Sequence, residues 1–198
     1  MNILIIYCHP SKNSYTYEIL QQLKSNLKKE HIDFEIFDLY KMNFKTDMSE
    51  EEYRRESYAN LDIPVAKDVL KEHQKINKAD CIIFLYPVWW SDCPAKLKGW
   101  FDRVYSVGYA YGTDEIKDKS KVMKKIPKGI VICTAGHSNA FLDEIGITKS
   151  MKNVMLDDRL GKRFNKKEMI VLGGTADISL VRPIHEEVIN TIGKIIKS

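Results

Sequence analysis

The sequence predicts an α/β fold in which a parallel five-stranded sheet carries helices on both faces. Short apolar, β-branched runs alternate along the chain with longer stretches of helical periodicity, which is the order of β–α–β units. Several of these runs are apolar at every position, as strands of a parallel sheet are when both of their faces are buried. A doubly wound sheet follows, with strands predicted at residues 3–8, 34–37, 81–86, 130–133 and 169–172.

The stretches between and after these strands have the apolar period of amphipathic helices. In the first of them, Ile19, Leu20, Leu23 and Leu27 share one face, so this helix is expected to pack on the sheet. Segment 39–61 is polar, and we interpret it as a surface excursion with a short helix whose function the sequence does not reveal. The helices are predicted at residues 15–30, 64–77, 94–105, 144–160 and, beginning at Pro183 after Arg182, 183–197.

Composition indicates one domain over residues 1–198, with 44% hydrophobic and 29% charged residues. The net charge of +4 is scattered without a basic stripe, which argues against a nucleic-acid partner. The four cysteines lack CxxC spacing and mostly lie in or beside apolar runs, so we interpret them as reduced packing residues and predict no metal site. No apolar run approaches about 18 residues, and the first apolar run is short and lacks the basic region of a signal peptide. We therefore expect a cytoplasmic protein without a membrane span.

Doubly wound sheets bind ligands at the carboxyl ends of their strands, near the topological switch point. The segments that follow the first, third and fourth strands are therefore the candidate site.

The segment after the first strand has the composition of an anion pocket. Small hydroxyl and amide side chains lead directly into a helix, whose first N–H groups are unpaired and whose dipole favours negative charge. It contains neither GxGxxG nor a P-loop motif. The alternative is an ordinary helix cap preceded by a turn histidine. The residues of interest are His9, Asn13, Ser14, Tyr15 and Thr16.

The segment after the third strand contains all three tryptophans within twelve positions. So much aromatic surface indicates a flat ligand or a partner subunit, and Pro87 and Pro94 restrict the backbone around it. We expect the N–H groups of Val88, Trp89 and Trp90 to be free to bind the polar edge of a flavin while an indole lies along the ring. The alternative is an aromatic cluster at the edge of the core.

The segment after the fourth strand contains Thr134, Ala135, Gly136 and His137. Gly136 permits close approach of the backbone to a ligand. His137 is either a hydrogen-bond donor to a flavin oxygen or a turn residue that faces solvent.

The run YPVWWSDCPAKLKGWFDRVYSVGYAYG resembles the signature of the NAD(P)H:quinone oxidoreductase family. These flavodoxin-like flavoproteins include quinone reductases, modulators of drug activity and ancillary subunits of potassium efflux systems. In the family, an aromatic-P-x-x-W loop precedes a helix of pattern P-A-x-L-K-G-W-F/L-D/E-R-V. YCHPSKNSYTYEIL resembles the family's first loop and CTAGH its T-T-G-G turn, so the resemblance spans about residues 1–140.

The resemblance implies a sheet of order 2-1-3-4-5 and a flavin. FAD is the first choice because His9 with Tyr15-Thr16 is similar to the FAD-binding branch, and FMN is the alternative; NAD(P)H is the implied donor. The implied cofactor-binding residues are His9, Asn13, Ser14, Tyr15, Thr16, Pro87, Val88, Trp89, Trp90, Thr134, Ala135, Gly136 and His137.

The resemblance further implies a two-electron, ping-pong transfer from a nicotinamide to a quinone-like acceptor at a homodimer interface. The family's quinone reductases carry a tyrosine and a histidine that stabilise the reduced flavin; the tyrosine position falls at Leu142, and no histidine lies between His137 and His185, so that pair is not carried over. The implied substrate pocket is Trp90, Tyr105, Tyr109, Tyr111 and Phe141, with Trp89 and Trp100 in the same wall.

Three other functions stay open at this point. An electron-carrier flavodoxin is disfavoured by the charge of +4. A regulatory subunit of a potassium efflux transporter and an azo- or nitro-reductase are compatible with every motif. The charged stretch 145–163 is interpreted as a solvated helix, the alternative being one that reaches a second subunit.

Overall fold

The computed structural model describes residues 1–114 and 116–197 and contains the predicted parallel sheet. The strand order is β2-β1-β3-β4-β5, and every neighbouring pair is parallel, which confirms the predicted topology. The strands are β1 (Ile3–Tyr7), β2 (Phe34–Asp38), β3 (Cys81–Pro87), β4 (Ile126–Thr134) and β5 (Phe164–Leu172).

The last two strands begin several residues before their predicted starts at 130 and 169. Their first halves contain lysines and other polar residues, so they lack the apolar signal of a buried strand. β5 is an edge strand with neighbours on one side only, and Asn165 and Lys166 are exposed. Charged side chains are ordinary on an edge strand, and the apolar criterion therefore missed the first half of β5.

The all-apolar strands are explained by a core on each side of the sheet. Along β1, Leu4 and Ile6 point into one core, whereas Ile3, Ile5 and Tyr7 point into the other. Successive side chains of a strand alternate between faces, so a strand covered on both sides needs an apolar residue at every position.

The helices divide between these two cores. The helices α1 and α7 cover the core that contains Ile5, and α3, α4, α6 and the π-helix cover the core that contains Ile6. None of the helices in the described part of the chain has the length and apolar character of a membrane span. Their bounds are α1 (Tyr15–Lys29), α2 (Glu50–Ser57), α3 (Lys67–Ile76), α4 (Ala95–Val104), α5 (Asn139–Glu144), α6 (Ile147–Lys152), a π-helix (Asn153–Leu160) and α7 (Ile178–Lys197).

Two predicted helices differ from the structure. The predicted helix 144–160 is interrupted, because Gly146 adopts a left-handed conformation (φ +76°) between α5 and α6. α7 begins at Ile178, so the expected start at Pro183 is wrong, and the proline lies within the helix. The helix is maintained by the burial of Ile189, Ile192 and Ile196 further along.

Candidate active site

The three predicted segments meet at the carboxyl edge of the sheet. The hydroxyls of Thr16 and Thr134 are hydrogen-bonded at 2.7 Å, which joins the first segment to the third. The N–H of Val88 donates to the carbonyl of Thr134 at 2.8 Å, which joins the second to the third. The rings of His9 and Trp89 lie edge to face with centroids 5.9 Å apart, which joins the first to the second. Thr134 is thus the central residue of the arrangement.

The first segment is organised by Ser11, which the sequence analysis did not single out. Its N–H donates to Nδ1 of His9, its hydroxyl accepts from the N–H of Asn13, and its carbonyl accepts from the hydroxyl of Ser14, each at 3.0 Å. Ser14 in turn caps α1 by accepting from the N–H of Tyr17 at 3.2 Å.

The start of α1 presents donors that the chain itself does not use. Within residues 1–114 and 116–197, the N–H groups of Lys12, Ser14, Tyr15 and Thr16 make no hydrogen bond. Burial lowers the pKa of His9, although the contact of its Nδ1 with the carbonyl of Ser11 at 3.0 Å acts in the opposite direction, so burial disfavours the charged imidazole. The anion preference of this segment therefore comes from backbone N–H groups and the helix dipole.

The second segment contains a tight turn from Trp89 to Asp92. The N–H of Trp89 donates to the carbonyl of Asp92 at 2.9 Å, and the N–H of Asp92 donates back at 3.2 Å. Between them, Trp90 and Ser91 both have left-handed backbones, with φ of +48° and +64°. Bulky residues seldom adopt this conformation, and each instance costs on the order of 1–3 kcal/mol. The turn exposes the Trp90 side chain fully.

The expectation of free N–H groups in this segment is wrong for two of its three residues. Those of Val88 and Trp89 are used within the chain, as described above, because the segment folds back on β4 and on itself. Only the N–H of Trp90 meets no acceptor in the described residues. Trp100 does not line a pocket wall: it is wholly buried, and its indole N–H donates to Glu72 at 3.0 Å. The aromatic cluster is thus divided between core and surface.

The third segment is held by the loop that follows β5. The carbonyls of Ala135, Gly136 and His137 accept from the N–H groups of residues 174–176 at 2.7–3.3 Å. A Cβ on Gly136 would meet nothing within 4 Å, so the chain itself does not require glycine there and the surface above it is open. His137 is exposed and lies 4.7 Å from the ring of Phe141.

The predicted substrate-pocket residues are not together in this chain. Trp90 and Phe141 are exposed; Trp90 lies in the segment after β3, and Phe141 lies on α5, just after the segment that follows β4. Tyr109 is buried, stacks on His73 at 3.5 Å and donates to Asn77 at 3.1 Å. Tyr111 is exposed and donates to Glu56 at 2.6 Å.

Half-buried Tyr105 lies directly after α4, next to these tyrosines. A crossover helix returns the chain to the amino edge of the sheet before the next parallel strand, so residues 105–111 follow α4 at that far edge. Their part in a pocket formed with a second subunit stays a prediction.

Two residues that sequence reasoning missed hold the second segment in place. The guanidinium of Arg159, from the π-helix, donates to both carboxylate oxygens of Asp92 at 2.8 and 2.9 Å. Arg159 is buried, so interpreting the whole stretch 145–163 as a solvated surface is wrong for this residue. No local signal reveals the pair, whose members are 67 positions apart.

Another missed contact holds Tyr15 at the start of α1. Its hydroxyl lies 3.0 Å from Nδ1 of His185 on α7, and the guanidinium of Arg182 lies 5.5 Å from its ring centroid. Arg182 also pairs with Glu18 at 2.5 Å. Arg182 is therefore part of the surroundings of the first segment rather than a helix boundary.

The cysteines supply no nucleophile to this edge. All four are free and buried, and burial raises the pKa of each to about 12. Their thiols are thus protonated at neutral pH and pack as small apolar groups.

Comparison with known proteins decides the family. A family model described as having a flavodoxin-like fold matches residues 1–162. A solved NAD(P)H:quinone oxidoreductase from Methanothermobacter marburgensis superposes with a TM-score of 0.89 at 41% identity, over 100% of this chain and 96% of that one. The chain belongs to the flavodoxin-like NAD(P)H:quinone oxidoreductase family.

Curated members of the family are similar over a large part of the chain. An uncharacterised NAD(P)H oxidoreductase of Haemophilus influenzae is 34% identical over 79% of this chain and 75% of its own length. NAD(P)H dehydrogenase (quinone) 1 of Cavia porcellus is 31% identical over 77% of this chain. The chain spans only 59% of that second relative's length. An azoreductase from Bacillus anthracis, at 15% identity and a TM-score of 0.71, shares the fold alone.

Proposed function

We propose that this protein is a flavin-dependent NAD(P)H:quinone oxidoreductase that transfers two electrons by a ping-pong mechanism. The observation that carries the proposal is the convergence of the three strand-end segments around Thr134. Family membership supports it, because relatives and a solved neighbour bear the names of quinone oxidoreductases.

The donor set at this edge of the sheet fits a flavin. The unused N–H groups of Ser14, Tyr15 and Thr16 suit a phosphate, since they combine hydrogen-bond donors with the positive end of a helix dipole. The exposed parts of His9 and Trp89 supply an aromatic wall for a flat ring, and the N–H of Trp90 is available to the ring's polar edge. When bound, the flavin supplies acceptance of a hydride and its delivery to a second substrate.

The protein's own contribution is therefore binding and orientation. Leu142, at the position of the family's tyrosine, is buried and apolar, so it offers no hydrogen bond to a reduced cofactor. The three segments instead present backbone N–H groups. The hydrogen bonds made by residues 174–176 and by Thr134 hold the segments in place and so maintain the orientation of these groups. We propose that acceptor binding depends mainly on shape and stacking.

The finer points of the proposal follow the family resemblance. We propose FAD as the cofactor, with FMN as the alternative, and NADH or NADPH as the donor. We propose a cytoplasmic homodimer in which residues 105–111 of a second copy complete the acceptor pocket. None of the relatives described above is a transporter subunit, and the azoreductase is similar in fold only.

The deciding experiment is to purify the protein and record its visible spectrum. A bound flavin is expected, and its release by heat followed by chromatography distinguishes FAD from FMN. Turnover of NADH and NADPH with a soluble quinone is expected to be stoichiometric. A colourless protein that takes up neither flavin would overturn the proposal.

Replacement of Trp89 by alanine tests the aromatic wall. We expect Trp89→Ala to weaken flavin affinity about tenfold, the size of one lost stacking contact. Tyr58→Ala, which removes an aromatic ring that is 73% exposed in the 39–61 segment, is the control and should leave affinity unchanged. Equal affinities for all three proteins would assign Trp89 to packing alone.

A further inference from the structure

The Trp89–Asp92 turn needs an external support. Two adjacent residues with left-handed backbones, one of them a tryptophan, make the turn unfavourable by itself. Burial does not compensate, because Trp90 and Ser91 are exposed and Trp89 is 41% exposed. Only two backbone hydrogen bonds close the turn, and a single hydrogen bond contributes little net stability.

Arg159 provides that support. Its paired bonds to Asp92 have the fork geometry that makes arginine–carboxylate contacts strong and directional. The carboxylate of Asp92 also accepts from the N–H of Cys93 at 2.6 Å, so the end of the turn is held on two sides. Burial raises the pKa of Asp92, but the bonds from Arg159 and Cys93 outweigh it and lower the pKa below its usual value.

Arg159 is itself held by several contacts. Its guanidinium lies 3.1 Å from the sulfur of Met155 and 5.4 Å from the ring centroid of Phe101. Its carbonyl accepts from Arg163 at 2.9–3.1 Å, which closes the end of the π-helix. Such π-helical turns are uncommon and frequently occur at functional sites, because they change which side chains face inward. In this protein the π-helix places the guanidinium of Arg159 against Asp92, at the end of the exposed Trp89–Asp92 turn.

We propose that Arg159 is a positioning residue that acts through Asp92 to hold the Trp89–Asp92 turn in the conformation that presents Trp90 to flavin and acceptor. This inference rests on the proposed function. The alternative is that the Arg159–Asp92 pair only stabilises the fold, and the two measurements described next distinguish these roles.

Asp92→Asn is the test variant. Asparagine keeps the shape and the acceptor for Cys93 but loses the charge that faces Arg159. Asp68→Asn is the matched control. Asp68 is as exposed as Asp92, and both of its carboxylate oxygens accept from a buried arginine, Arg103, at 2.6 and 3.0 Å. It lies on α3, outside the three strand-end segments. If Asp92→Asn folds poorly, the double variant Asp92→Asn/Arg159→Met, which removes both charges, is used as the test variant instead.

The first measurement is amide hydrogen exchange in peptides covering residues 86–94, which needs no cofactor. We expect Asp92→Asn to accelerate exchange of the amides of Trp89 and Asp92 about tenfold relative to the unaltered protein and to Asp68→Asn, the size of one charge-assisted contact. Unchanged exchange in the turn would overturn the inference, because the pair would then not hold it.

The second measurement separates positioning from stability. With the flavin-loaded protein, Asp92→Asn is expected to raise KM for the quinone about tenfold with kcat reduced less, whereas Asp68→Asn changes neither. Faster exchange with unchanged KM and flavin affinity would overturn the positioning role. If the unaltered protein takes up no flavin, the proposed function is wrong, and so is the presentation of Trp90 to a flavin. The exchange result then decides only whether Arg159 holds the turn.

Discussion

At the scale of single residues, the shared hydroxyl bond of Thr16 and Thr134 organises the candidate site. Both side chains are buried, so neither hydroxyl has water as an alternative partner. Thr134→Val is therefore expected to lower the free energy of unfolding by about 1–2 kcal/mol, the cost of leaving a buried polar group unpaired. Urea denaturation measures it.

A second variant makes this prediction specific. Thr16→Val/Thr134→Val removes both hydroxyls, so no buried polar group is left alone and most of the stability should return. If the double variant is as unstable as the sum of the single variants, the hydroxyl bond contributes no coupling and the prediction is wrong.

At the scale of elements, Gly99 explains why α4 can pack so closely against the segment after β2. A Cβ at this position would lie 2.6 Å from both Cβ and the carbonyl oxygen of Thr46. Gly99→Ala should gain about 1 kcal/mol of helix propensity but lose more through this clash with backbone, for a net loss of about 1–3 kcal/mol. Thermal or urea unfolding provides the measurement.

Gly193→Ala in α7 is the comparison for that variant. Its added methyl group would first meet Cγ of Glu30 at 2.5 Å, which belongs to a flexible side chain, although Asn26 lies 3.0 Å away. Its loss should be the smaller of the two. The reverse order would show that the clash at Gly99 is relieved by movement of the Thr46 loop.

At the scale of the whole molecule, acid should destabilise the fold between about pH 6.5 and 4. Burial lowers the pKa of His73 from 6.5 to about 4, although its bond to the carbonyl of Val104 acts in the opposite direction. The unfolded chain therefore binds a proton first as the pH falls, and up to about 3 kcal/mol of stability is lost across this window. Buried Glu72, whose pKa burial raises, opposes part of this loss.

The contribution of His73 is isolated by His73→Gln, whose amide keeps a donor for Val104. Urea denaturation at pH 7, 5.5 and 4.5 should show a flatter dependence on pH for this variant than for the unaltered protein. His31→Gln, at an exposed histidine, is the control and should change nothing. Parallel curves for all three proteins would refute the assignment.

Much of the fold was predictable because it follows from local patterns. An apolar run such as residues 81–86 cannot avoid two-sided burial, and the face shared by Ile19 and Leu23 must be covered. The polar halves of β4 and β5 and the start of α7 were misjudged, since strand pairing, the edge position of β5 and helix packing depend on residues distant in the chain. The segments of the candidate site were predictable because each is a short local motif. Several contacts between them were not, because they join residues distant in the chain.

By itself, the sequence determined the parallel, doubly wound sheet, the three segments that reach the carboxyl edge and the family resemblance, which in turn implied the strand order, because periodicity and motifs are properties of neighbouring residues. Only the tertiary structure decided which N–H groups are free, that Trp100 belongs to the core, and that Arg159 supports the turn carrying Trp90. These depend on contacts between residues far apart in the chain, such as Arg159 with Asp92, whose geometry exists only after the sheet and helices have packed.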